Sequence, residues 1–280
     1  MSAKILDGRL VSTSLLERVA KEVKQLRIKP KLVILLVGDN PASLSYIKQK
    51  TRAAEHVGIV AELLRLPVST STKKLLAIIE KLNKDKKVHG ILVQLPLPPK
   101  IDAAKIGAAV APHKDVDGFD VVNLGALFKE DERLAPCTPQ GVIRMLDHYK
   151  IPTAGKHAVI VGRSNIVGKP LSLMLINRDA TVTVCHSKTK NLAAHTRQAD
   201  IVIMAVGKAK LLKSSMIKKG AVVIDVGINR VGGKLVGDVD FTAVSKKARF
   251  ITPVPGGVGP MTVACLMRNT LAAAHHIQSK

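Results

Sequence analysis

The chain has 280 residues, 46% of them hydrophobic and 23% charged, a balance that excludes a disordered tract and suits two domains of ordinary size. Its 44 Lys and Arg against 21 Asp and Glu give a formal net charge of +23, which brings nucleic acid forward as a partner. Aromatics are only 2%, with no Trp and two Tyr, and the lysines are spread along the chain, so no specific nucleic-acid platform is expected.

MSAKILDGRL at the N-terminus has no apolar core and no cleavage site, so it does not read as a secretory signal. Leu16, Val19, Val23 and Leu26 step by three and four residues, one face of a helix that ends before Pro30. KLVILLVG (31–38) is a strand, too short an apolar run to span a bilayer, and Pro41 opens a helix through about Val57. A strand follows near Val60–Leu66, then a helix near Thr72–Leu82 opened by the cap-like STST at 69–72. HGILVQLPLPP (89–99) is a strand that runs into a proline-stiffened loop. This alternation predicts a parallel sheet covered by helices. After Gly155 a second series begins, with strands at 157–162, 180–187, 199–207, 221–228 and 249–255 and helical segments between most of them. Pro260–Gln278 reads as a long final helix with Pro in its first turn. The fold class is therefore α/β with two domains, the second of Rossmann type. Three cysteines without a C-x-x-C pair and nine scattered histidines predict reduced thiols in the cytoplasm and no metal site.

VIVGRSNIVGKPLSLML (159–175) follows the first strand of the second series. A dinucleotide fold usually has G-x-G-x-x-G at this turn; here Gly162 and Gly168 flank Arg163-Ser164-Asn165. A helix N-terminus presents unpaired N–H groups that suit phosphate, and glycine lets the ligand approach. Arg163 adds a guanidinium suited to bidentate phosphate binding. At the end of the next strand, where an NAD site carries a carboxylate for the ribose, the chain reads Cys185-His186-Ser187-Lys188. A hydroxyl with cations there suits the extra phosphate of NADP. The bland reading of the glycine pair is a tight strand-to-helix turn, and of Arg163 a surface arginine.

In the first half, Tyr46 and Lys50 are four apart on one predicted helix face. A lysine in a cleft can carry protons, though lysines on so basic a surface are also commonplace. Gln94 ends a buried strand, where doubly wound sheets place ligands and where a buried amide also simply needs a partner. KDVDGFD (114–120) gathers three carboxylates about a glycine, either a solvated turn or part of a site. TPVPGGVGPMT (252–262) is either a connector or a backbone that lets a ligand come close.

In chain order, VGDNPASLSYIKQKTRAAEHVGI, HGILVQLPLP, KDVDGFDVVN, PCTPQG, VIVGRSNIVGKPLS, TVTVCHSKT and TPVPGGVGPMT resemble the bifunctional methylenetetrahydrofolate dehydrogenase/cyclohydrolase family, over nearly the whole chain. A short-chain dehydrogenase also uses Y-x-x-x-K, but after an N-terminal glycine loop; here Lys50 precedes the loop by a domain. The resemblance implies a catalytic folate-binding domain over residues 1–120, completed by a C-terminal helix (262–280) that packs back on it. It also implies an NADP-binding domain over 138–261, a cleft between the two, tetrahydrofolate derivatives as substrates, and a homodimer. By resemblance Lys50 is the catalytic lysine, Gln94 bonds and tunes it, Tyr46 stacks on the pterin and Asp117 grips its amide edge. Leu95, Pro255 and Gly256 would complete the substrate site. Gly162, Arg163, Ser164, Val167, His186 and Ser187 would hold the cofactor, with Ile228 on its adenosine or ribose side. The chain departs from many members at Asp120-Val121, where they have His-Pro; this alters the loop behind Asp117 without removing a proposed functional group.

The implied activity is NADP-dependent oxidation of 5,10-methylenetetrahydrofolate, followed by hydrolysis of the methenyl product to 10-formyltetrahydrofolate. Two rivals remain open at this point: a dehydrogenase without the hydrolytic step, and a basic nucleic-acid-binding protein.

Overall fold

The computed structural model describes residues 2–278. In chain order the first half comprises β1 (Lys4–Ile5), α1 (Gly8–Gln25), β2 (Lys31–Val37), α2 (Pro41–Val57), β3 (Val60–Leu66), α3 (Thr72–Lys84), β4 (Gly90–Val93), α4 (Ala103–Gly107) and α5 (Val121–Ala126). The second half comprises α6 (Cys137–His148), β5 (His157–Val161), α7 (Gly168–Ile176), β6 (Thr181–Cys185), α8 (Leu192–Gln198), β7 (Ile201–Met204), β8 (Val222–Asp225), β9 (Asn229–Val231), β10 (Lys234–Val236), α9 (Phe241–Val244), β11 (Phe250–Ile251) and α10 (Val258–Gln278). The described residues form two compact units: 13–137 together with 263–278, and 2–12 together with 138–262.

The first unit is built on a three-stranded parallel sheet in the order β3-β2-β4. Six of the seven residues of β2 are buried, which is why its sequence is continuously apolar instead of alternating: both faces are covered. Val33, Leu35 and Ile91 pack with Leu75 and Ile79 of α3. Helix α2 has clear ends. Asn40 Oδ1 accepts from the amides of Ala42 and Ser43 at 2.9 and 3.3 Å, Pro41 occupies the first turn, and Gly58 closes the helix at φ 81°. In α3 the capping residue is Ser71, which accepts from Lys74 N at 3.2 Å.

The second unit holds a six-stranded sheet in the order β1-β11-β8-β7-β5-β6, parallel throughout, with β9 and β10 as a separate antiparallel hairpin. β5 lies between β6 and β7, so the order reverses there, and the carboxyl ends of β5 and β7 form the switch point where such sheets receive ligands.

Three details depart from the sequence reading. Residues 2–12 cluster with the six-stranded sheet, because β1 pairs with β11 and extends it. The strands of the second series are shorter than their apolar runs: β7 stops at Met204 and β8 at Asp225. Beyond those points the backbone leaves the ladder through Gly207 at φ 66° and through bonds to buried carboxylates. Helix α10 begins at Val258, one turn-half before Pro260, which sits within its first turn as Pro can.

Candidate active site

Lys50 lies on the buried stripe of α2 formed by Ser43, Ile47, Lys50, Ala54 and Val57, and only 9% of its surface is exposed. An ammonium so placed needs a partner. Its Nζ donates to Gln94 Oε1 at 3.0 Å. The Gln94 amide is held in turn: its Nε2 donates to the Leu95 carbonyl at 2.7 Å, and its backbone N donates to Leu35 O at 2.9 Å, just past the end of β4. Ser43 Oγ, one turn below Ile47 on the same stripe, also donates to Leu95 O, at 3.4 Å. The Leu95-Pro96 peptide is cis. Thus Lys50, Gln94 and Leu95 meet, and the amide has one orientation. Tyr46, one turn before Lys50, is half-buried, and burial pushes its hydroxyl pKa up.

Asp117 sits on a loop beside β4, bridged at Ile91 and Asp115. Burial raises its carboxyl pKa, and the Lys50 charge opposes that rise; the two groups are within electrostatic reach. The loop is fixed from several sides. Asp115 accepts from Gly118 N at 3.1 Å, Asp120 N at 2.7 Å and Asn123 Nδ2 at 3.1 Å. Asn269 of α10, fully buried, donates through Nδ2 to Val116 O at 2.9 Å and to Ala135 O at 3.0 Å. The Cys137 thiol donates to Val116 O at 3.2 Å. Gly118 has φ 76°, and a Cβ there would run into the backbone of Leu134 and Ala135. Burial pushes the Asp115 carboxyl up to about 6, while its bonds from Asp120 N, Asn123 and Gly118 N act in the other direction.

Cys137 and Asn269 are not among the site residues of the sequence reading, and Asp115 enters it only as one of the three carboxylates of KDVDGFD. Asn269 left a signal, one amide within the apolar run VACLMRNTLAAA, but its partners lie 153 and 134 positions away. The departure at Asp120-Val121 has a local role: Asp120 caps α5 by accepting from Val122 N at 2.8 Å, and Val121 is three-quarters exposed.

The other predicted residues belong to the six-stranded unit. A Cβ on Gly162 (φ 130°) would strike the carbonyl of Ala205 at the end of β7, and one on Gly168 would strike the carbonyl of Gly162. These glycines therefore let the turn fold onto the switch point and bring the N-terminus of α7 against it. Arg163 and Ser164 are exposed there; Ser164 Oγ accepts from Val167 N at 3.2 Å and steadies the turn. Gly162 N donates to Cys185 O at 2.8 Å, which sets the turn beside the end of β6. At that end His186 Nδ1 accepts from Lys188 N at 3.1 Å, and Ser187 and Lys188 point to solvent. Ile228 is 43% exposed just beyond β8. Pro255, preceded by a cis peptide, and Gly256, at φ 105°, form the turn after β11, where Gly8 N donates to Gly256 O at 3.0 Å.

No group of three or more His, Cys, Asp or Glu that could hold a metal occurs among the described residues, and no described helix is long and apolar enough to cross a membrane.

Two family profiles match. The tetrahydrofolate dehydrogenase/cyclohydrolase catalytic domain covers residues 6–117, and the tetrahydrofolate dehydrogenase/cyclohydrolase NAD(P)-binding domain covers residues 136–278. The bifunctional protein FolD of Moorella thermoacetica is 56% identical over 278 residues, 98% of this chain and 99% of its own. The crystal structure of the bifunctional FolD methylenetetrahydrofolate dehydrogenase/cyclohydrolase of Campylobacter jejuni superposes with a TM-score of 0.96 at 49% identity, covering 98% of this chain and 99% of that one. The Trypanosoma brucei N5,N10-methylenetetrahydrofolate dehydrogenase-cyclohydrolase, solved with NADP cofactor and an inhibitor, gives a TM-score of 0.94 at 37% identity, covering 99% and 98%. On matches that run the length of the chain, it belongs to the tetrahydrofolate dehydrogenase/cyclohydrolase family.

Proposed function

We propose that the chain is a bifunctional one-carbon folate enzyme. It oxidises 5,10-methylenetetrahydrofolate to 5,10-methenyltetrahydrofolate and hydrolyses that product to 10-formyltetrahydrofolate. The observation that carries the reading is the buried Lys50 amine, bonded to a neutral amide at 3.0 Å instead of a carboxylate. The amide carbonyl accepts from the Nζ without neutralising it and fixes where the Nζ sits.

The folate side follows from the same unit. Tyr46 offers a half-buried ring one turn from Lys50, and Asp117 offers a carboxylate on a rigidly tied loop, suited to the amino and amide edge of a pterin. In the oxidation the ring nitrogens stabilise the cation that forms, so the task of these residues is alignment. In the hydrolysis, water adds to the methenyl carbon and loses a proton, then the carbon–N5 bond breaks as the new hydroxyl becomes the formyl oxygen. N5 gains one proton and one is released overall. Lys50, steadied by Gln94, is the group that takes the proton from oxygen and returns it to nitrogen.

The cofactor fits the six-stranded unit. The close approach of Gly162 and Gly168, the exposed Arg163 and the N-terminus of α7 suit a pyrophosphate. Ser187 and Lys188, with no carboxylate beside them, suit a 2′-phosphate and so support NADP over NAD. When bound, NADP⁺ supplies the hydride acceptor. We further propose a homodimer, to be tested by analytical ultracentrifugation, and a cytoplasmic location, in keeping with Cys137, Cys185 and Cys265 as buried thiols and not disulfides.

The test is an absorbance trace with methylenetetrahydrofolate and NADP⁺. NADPH should form while little methenyl-folate builds up. A steady accumulation of methenyl-folate would instead identify a dehydrogenase without the second activity, and no NADPH would remove the proposal.

A further inference from the structure

Two buried carboxylates of the six-stranded unit take no part in the chemistry above. Asp238, fully buried, accepts through Oδ2 from Val206 N at 2.8 Å and Gly207 N at 3.0 Å, and through Oδ1 from Lys208 N at 2.8 Å and Asn229 Nδ2 at 3.0 Å. Asp225, at the end of β8, accepts through Oδ1 from Gly227 N and Asp238 N, both at 3.0 Å, and through Oδ2 from Val239 N at 2.9 Å. Its own N donates to Thr252 Oγ1 at 2.7 Å, the residue that precedes the turn after β11.

Every loop that leaves the carboxyl ends of β7, β8 and β11 is thus tied to this pair. A framework acid does not need this arrangement, because a carboxylate is costly to bury and two together cost more. What the pair achieves is placement. Residues 227 and 229 are both fastened to it, so Ile228 is held between two anchors. The Val206–Lys208 turn follows Ala205, whose carbonyl lies against Gly162. The fit is close: a Cβ on Gly227 would collide with the Asp238 carboxylate, and one on Gly237 with that of Asp225.

We infer that Asp225 and Asp238 are positioning residues for the dinucleotide, setting the turn at 206–208 and the Ile228 loop against the Gly162 turn. This rests on the cofactor reading of that turn. Both acids act through main-chain N–H groups and, for Asp238, the Asn229 side-chain amide, without touching the ligand, and hydrogen bonds to charged acceptors are the strong class.

The test uses the full-length enzyme and three variants. Asp238→Asn keeps the shape but replaces one acceptor oxygen with a donor facing backbone N–H groups. Its NADP⁺ Kd, read by NADPH fluorescence and by dehydrogenase KM, should rise on the order of tenfold, with KM for methylenetetrahydrofolate unchanged. Asn229→Ala removes one anchor from a partly exposed position and should give the same split, about two- to fivefold, without a change in melting temperature. This milder variant decides the matter if Asp238→Asn fails to fold. A lowered melting temperature with NADP⁺ affinity unchanged in both variants would show a purely structural pair and overturn the inference, as would equal losses in both substrates. Arg163→Ala separates the two levels: if it leaves NADP⁺ binding intact, the cofactor reading itself fails, whatever the acids do.

Discussion

Replacing Asn269 with Ala tests whether the C-terminal helix presents Asp117 to substrate. The side chain donates to Val116 O at 2.9 Å and to Ala135 O at 3.0 Å, both fully inside the protein. Each such bond contributes about 1 kcal/mol net, and removing the amide leaves a small void, so the loss should be about 2–3 kcal/mol. Val116 O keeps its contact with the Cys137 thiol, which holds the figure below that for a fully stripped carbonyl. Urea denaturation with a probe in the first unit reads this as a lower midpoint at unchanged slope. The functional consequence is separate. Val116 is the neighbour of Asp117, so a slackened loop should raise KM for methylenetetrahydrofolate and for methenyl-folate together, by roughly five- to tenfold, with NADP⁺ affinity as in the wild type. Lower stability with both folate KM values unchanged would refute the claim that this amide orients the Asp117 loop.

Arg163→Ala should weaken NADP⁺ more than NAD⁺ in parallel KM measurements; equal losses would contradict a 2′-phosphate role. Gly168→Ala places a methyl against the Gly162 carbonyl and should lower NADPH affinity at least about tenfold in a fluorescence titration; an unchanged titration would mean that the turn is not where the dinucleotide lies. The pH dependence follows from Asp115, whose carboxyl is at about 6 in the fold against an ordinary 3.8. A folded value above the unfolded one means that the folded state binds the proton more tightly, so this group costs stability at neutral pH and the cost is relieved as pH falls through 6. Relative to Asp115→Asn, the wild type should therefore gain about 1 kcal/mol between roughly pH 7.5 and pH 5 in urea titrations; a difference independent of pH would show that the buried carboxyl is not so perturbed.

The parts legible in the sequence were those dictated locally. Asn40-Pro41 and Gly58 bracket α2 by capping and left-handed geometry, and the unbroken apolar runs of β2 and β5 announce a sheet covered on both faces. Lys50 and Gln94 could be singled out, each with a bland alternative, but their 3.0 Å bond joins positions 44 apart and is a property of the fold. β1 was invisible because two residues carry no periodicity, and its partner Phe250–Ile251 lies at the other end of the chain. The β9–β10 hairpin does leave a mark: Gly232-Gly233 between NRV and KLV is a two-residue turn signal. Asp225 and Asp238 carry no distinguishing mark in the sequence, since only the folded backbone reveals how many N–H groups converge on them.

The most direct measurement is methenyl-folate hydrolysis by Lys50→Met beside the wild type. Because the amine is the only proton carrier assigned to that step, the rate should fall by about a hundredfold or more, while circular dichroism and NADPH binding stay as they were. Hydrolysis at the wild-type rate would mean that the chemistry belongs to another group, and the assignment built around Lys50 and Gln94 would be wrong.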